Sequence, residues 1–174
     1  VALLLVILVP AVAFALYFQE EPPAHKVEFQ HDFRAGKPLP DWLVMDGPQE
    51  EAAIDHADRG LRIKLPAKRA RHQAVGVGTK LLLAGDFEIT ASFELLSANQ
   101  PTGGYGVGVS LNLHHANDRN LFGKVARFVR AREGSVFVSE YWNKHPPKAY
   151  ALKSVPTEAL TGRLRLVRKG EILR

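Results

Sequence analysis

The chain is 174 residues long, carries a net charge of +5 and contains no cysteine. That length supplies one ordinary hydrophobic core and little more. The missing thiols exclude disulfides, thiol catalysis, cysteine-type zinc sites and iron–sulfur ligation. The basic excess is uneven: between Arg59 and Lys80 every charged residue is Lys or Arg, and Arg163, Arg165, Arg168 and Lys169 cluster near the end. Such clusters attract acidic polymers or lipid surfaces. They also blunt exposed strand edges, and their setting among strand-like alternations favours this second reading. Val1 stands first, Met45 is the only methionine, and Glu171-Ile172-Leu173-Arg174 runs on from a strand-like pattern. We therefore expect a fragment of a longer protein.

Residues 1–18, VALLLVILVPAVAFALYF, contain no charged side chain. As a helix they would span roughly 27 Å at 1.5 Å per residue, close to the thickness of a bilayer core. A helix packed on a soluble core would carry a polar face, and this run has none. It reads as a retained membrane anchor, with Tyr17 and Phe18 at the interface. The alternative is a cleaved signal peptide, since Ala11-Val12-Ala13 and Ala13-Phe14-Ala15 offer the small-x-small pattern. Either way the remainder is expected to be exported: membrane-anchored, or secreted if the leader is removed. Residues 19–26 form a polar, Pro-containing linker.

From residue 27 onward, strand patterns alternate with turn residues, and no segment keeps a helical period for three turns. Val27 to Phe33, Trp42 to Met45, Ala52 to His56, Leu61 to Leu65 and Ala74 to Thr79 make weak strands. Asp86 to Leu95 is the clearest: Phe87, Ile89, Ala91, Phe93 and Leu95 alternate with polar partners over ten positions. After a loop at Ser97 to Gly104, Tyr105 to His115 sends Tyr105, Val107, Val109, Leu111 and Leu113 to one side. Gly106, Gly108, Ser110, Asn112 and His114 go to the other. Ala116 to Asn120 is a turn. Leu121 to Ala131 and Ser135 to Trp142 follow, joined at Arg132-Glu133-Gly134. Thr161 to Arg168 is the last long strand, and Lys169-Gly170 begins another turn. Many short strands with regular turns predict an all-β, two-sheet antiparallel sandwich or jelly roll over residues 27–174.

Four pieces occur in one order: FQHDFRAG…LPDW at Phe29 to Trp42, GDFEITASFELL at Gly85 to Leu96, GYGVGVSLNL at Gly104 to Leu113, and GRLRLVRKG at Gly162 to Gly170. Together they resemble a bacterial domain-of-unknown-function family within the concanavalin A-like lectin/glucanase superfamily. The resemblance implies a two-sheet jelly-roll sandwich that continues past Arg168, hence an incomplete sandwich here. Fold analogy carries no function by itself.

The glucanases of that superfamily carry an acidic cluster on one strand face. Retaining hydrolysis needs two carboxylates about 5–5.5 Å apart. Here Glu88 and Glu94 would lie about 20 Å apart along a strand, and Asp86 with Glu88 is a commonplace solvated pair. His114 and His115, as adjacent strand residues, point to opposite faces and do not share a metal ion easily. Asn117, Asp118 and Asn120 read as turn formers before ligands. No Ser-His-Asp arrangement is present, and Gly76-x-Gly78 and Gly104-x-Gly106-x-Gly108 lie inside strands rather than at a strand-to-helix phosphate turn. We therefore expect no catalytic residues, no metal, no cofactor and no nucleic-acid role.

The aromatic residues lead further. Tyr141, Trp142 and Tyr150 flank the loop Asn143-Lys144-His145-Pro146-Pro147. Exposed rings beside amides stack on sugar C–H faces and also anchor protein interfaces; for Trp142, which alternates with Val136 and Val138, plain core packing is the competing account. Ser110, Asn112 and His114 line a Gly-rich polar strand face, which in a jelly roll can be the ligand-facing side. The candidate ligand-binding set is Ser110, Asn112, His114, Tyr141, Trp142 and Asn143. The sequence reads as a non-catalytic envelope or cell-surface binding module with carbohydrate as its first ligand class. An interaction domain of a larger envelope protein is the alternative, and a glycoside hydrolase a distant third.

Overall fold

The computed structural model describes residues 27–34, 37–69 and 73–174. The leader and linker of residues 1–26 lie outside them. Among the described residues no helix is long and apolar enough to cross a membrane. The described residues are all-β, with antiparallel sheets and one short 3-10 turn at Gln49–Glu51. The chain divides into two compact units, Val1–Gly78 and Thr79–Arg174.

In the first unit, β1 (Leu43–Asp46) pairs with β4 (Gly76–Thr79). Gly47 follows β1 at a left-handed φ of 88°, and a Cβ there would meet the Ala74 carbonyl oxygen at 2.0 Å. Only glycine fits both constraints. β2 (Ala53–Ala57) and β3 (Gly60–Lys64) form a hairpin closed by Asp58-Arg59. The strand expected over Val27 to Phe33 does not form. Its alternate positions Phe29, His31 and Phe33 make ring contacts instead, Phe29 with Trp42 at 5.6 Å and His31 with Phe33 at 4.7 Å. An apolar alternation specifies a strand only when a neighbouring strand takes up its backbone N–H and C=O groups.

The second unit holds two sheets. One is a four-stranded meander, in the order β6 (Val107–His115), β7 (Asp118–Arg130), β8 (Gly134–Asn143) and β9 (Ala149–Pro156). The other is β11-β10-β5, built from Phe87–Glu94 (β5), Thr161–Lys169 (β10) and Ile172–Leu173 (β11). The expected alternations of β5, β6, β8 and β10 appear as strands with nearly the expected bounds. β9 was not expected. It is an edge strand exposed at all but one position, so its sequence shows little contrast between faces. Gly170 takes a φ of 56° and turns β10 into β11.

Outside the register break at His114/His115, alternation assigns the paired residues of the meander to two faces. One face carries Leu111, Gly123, Val125, Arg127 and Phe137, and the β5–β10 sheet packs against it. Phe93 meets Phe137 edge-on at 6.4 Å. A Cβ on Gly123 would lie 2.6 Å from Leu173 Cδ2. Leu164 and Leu166 of β10 are buried, while Arg163 and Arg165 on the reverse side are exposed. Arg127 is 1% exposed and donates from Nε to the Ala159 carbonyl and from Nη1 to the Phe128 carbonyl, both at 2.7 Å. The opposite face of the meander holds the buried cluster Ala126, Val136 and Val138, with Phe128 packed on it.

Candidate functional site

The registers of the meander align its side chains in rows across all four strands. His114 pairs with Phe122, Phe122 with Trp142, and Trp142 with Tyr150. These four rings therefore form one row on the face opposite the β5–β10 sheet. At about 4.8 Å between strands the row runs roughly 14 Å. His114 and Phe122 have centroids 5.0 Å apart, and Trp142 and Tyr150 stand 6.3 Å apart in an edge-on arrangement. Trp142 is 36% exposed and Tyr150 58%. Partial desolvation of its hydroxyl and the Glu140 carboxylate nearby push the Tyr150 phenol above its ordinary value.

The next row on this face is Asn112, Lys124, Glu140 and Leu152. Lys124 Nζ forms an ion pair with Glu140 Oε2, and the two side chains are only 11% and 2% exposed. The ammonium also lies 5.3 Å from the Tyr105 ring, 5.5 Å from Phe122 and 5.7 Å from Phe128. Three rings and a carboxylate thus replace the water that a buried ammonium gives up. Asn112 Nδ2 donates to Ser110 Oγ at 3.2 Å. The face therefore combines a ring row, a fixed charge pair and an amide–hydroxyl pair.

The two loops beside the ring row are tied together. His145 Nε2 lies 2.6 Å from Asp118 Oδ2, and the Lys144 amide donates to the Asn120 carbonyl at 3.1 Å. The Asn120 amide donates to Asp118 Oδ1 at 2.9 Å. That bond and the His145 contact hold the Asp118 carboxyl below its ordinary value of 3.8, against the opposing effect of partial burial. A depressed carboxyl stabilises the fold above its unfolded pKa, and this contribution disappears as pH falls through the folded value. The loop pairing is expected to loosen below about pH 3.8. The protection of the Asn120 amide, relative to the intrinsic exchange rate at each pH, should then fall in the wild type. In Asp118→Ala, which has no acceptor, that protection should already be low at neutral pH and lose little more on acidification.

Of the six residues singled out in the sequence, Ser110, Asn112, His114 and Trp142 share this face. Tyr141 and Asn143 do not: each is one or three positions out of phase with Glu140 and Trp142 in β8, so alternation sends them to the other face. Asn143 Oδ1 is engaged by the His145 amide at 2.9 Å. The sequence reading omitted Phe122, Lys124, Glu140 and Tyr105. A signal for two of them was present: Lys124 and Glu140 interrupt strongly apolar alternations, where a charge needs a partner. Among the described residues no group of three or more His, Asp or Glu is arranged to hold a metal ion.

A family model described as "Protein of unknown function (DUF1583) C domain" matches residues 13–174, and the chain belongs to that family. No curated protein and no solved structure matches it.

Proposed function

We propose that this DUF1583 C domain is a non-catalytic binding module whose first ligand class is carbohydrate. The observation that supports the reading is the row His114–Phe122–Trp142–Tyr150, with exposed rings beside the Asn112–Ser110 pair on one sheet face. Rings offer flat apolar surfaces to sugar C–H faces, and amides and hydroxyls supply the directional contacts that fix orientation. The row is longer than one pyranose ring, which favours an oligosaccharide over a monosaccharide. The fold belongs to the same proposal: a two-sheet jelly-roll sandwich of the concanavalin A-like kind, supported by the Phe93–Phe137 contact and the seating of Leu173 over Gly123. Export, with residues 1–18 as membrane anchor or cleaved signal, rests on the apolar leader.

The test is a glycan array probed with the chain. Binding is expected, and Trp142→Ala and Asn112→Ala should each reduce it at least tenfold while circular dichroism stays unchanged. Tyr141→Ala, on the other face, should leave it intact. A folded protein that binds no glycan would leave the same exposed rings, with Leu152 beside them, as a protein-interaction surface of a larger envelope protein.

A further inference from the structure

The charges around the ring row are not balanced. Lys124 is paired with Glu140, and Arg130 Nη1 with Glu133 Oε1 at 2.6 Å. These two cations are neutralised within the face and its adjoining turn. Lys144 is different. Its Nζ sits 4.4 Å from the centroid of the Trp142 ring, and among the described residues no carboxylate pairs with it. Its backbone is anchored by the bond to the Asn120 carbonyl, and its neighbour His145 is anchored by Asp118. The cation is thus delivered to the rim of the ring row by a fixed loop.

A cation over a tryptophan ring is held by the ring quadrupole. Among the described residues it has no counter-charge, and a ligand that stacks beside Trp142 comes within reach of it. A neutral sugar would meet the ammonium without compensating it. A sugar bearing a carboxylate would form a charge-assisted hydrogen bond while its ring lies against the aromatic row. Resting on the carbohydrate reading above, we infer that the ligand is an acidic saccharide of the uronate class, recognised at its carboxylate by Lys144.

The experiment measures binding of the whole chain, in detergent, to a polyuronate and to the same polymer after its carboxyl groups are reduced to alcohols. The wild type should bind the polyuronate at least tenfold more tightly, and the difference should shrink as salt rises, because screening weakens exposed charge contacts. Lys144→Gln should bring the two affinities within about twofold at low salt, chiefly by weakening binding to the polyuronate. Trp142→Ala should weaken both. Equal wild-type affinity for the two polymers would overturn the uronate assignment and leave carbohydrate binding standing. Undiminished discrimination by Lys144→Gln would overturn the role of Lys144. Binding to neither polymer would overturn the uronate assignment, and an empty glycan array in addition would remove the carbohydrate reading itself.

Discussion

Replacing Glu140 by methionine is expected to destabilise the protein by about 3–5 kcal/mol, because it strands the Lys124 ammonium in a site that water does not reach. Both side chains are almost fully enclosed, so the Coulomb term is poorly screened while the cost of dehydration is high. Lys124→Met is expected to cost a similar amount, leaving the Glu140 carboxylate enclosed and alone. The informative variant is the double one. Lys124→Met with Glu140→Met removes both charges and keeps most of the volume, and it should recover the larger part of the loss. Urea unfolding of the four proteins closes the cycle. Single variants as stable as wild type would mean that water enters this row, and the enclosed charge pair would have no energetic role. A recovered double variant that no longer binds ligand would separate the pair's part in shaping the face from its part in folding.

Arg127→Ala is expected to cost about 3 kcal/mol or more. The guanidinium lies between the two sheets and holds the connection from β9 to β10 by its bond to the Ala159 carbonyl. Alanine removes the packing of the stem, opens a cavity and leaves the half-buried Ala159 and Phe128 carbonyls short of a donor. Arg127→Met keeps the stem and loses only the donors, so it should fall between wild type and alanine, about 1–2 kcal/mol below wild type. Hydrogen exchange gives the local reading. The Ala159 amide, which donates to Thr157 Oγ1, should exchange faster in both variants than the amides of β8. If methionine matches wild type, the connection is held by apolar packing alone.

These residues mark where the sequence is transparent and where it is not. β5 and β10 could be read directly, because one side of each strand faces the core and the other faces water, so Phe87, Ile89, Leu164 and Leu166 stand out against Glu88, Thr90, Arg163 and Arg165. β9 was opaque for the opposite reason: an edge strand with both sides in solvent has no contrast to display. The Val27 to Phe33 alternation misled because apolar spacing describes side chains and says nothing about whether a partner strand is present. The ring row was half legible. Trp142 and His114 attract notice as residues, but their alignment depends on pairing across three interfaces. The β6–β7 register also breaks between His114 and His115, where Asp118 pairs out of step with Phe122. No periodicity predicts that break. The separation of Tyr141 from Trp142, by contrast, follows from neighbouring positions on one strand.

The two sheets of the second unit differ in how far apart in the chain their partners lie. β6, β7, β8 and β9 are consecutive, each joined to the next by a short turn. β5 pairs instead with β10, joining Glu94 to Thr161 and Phe87 to Arg168, and the whole meander lies in the loop between them. Closing so long a loop on a floppy chain is entropically unfavourable, and a preformed meander shortens the free part of it to its two ends. The meander is therefore the part that can form early and alone, and the β5–β10 sheet is the late clasp that seals its back. Disturbing β10 should then show itself as faster unfolding, while slower folding belongs to the hairpins of β6, β7 and β8.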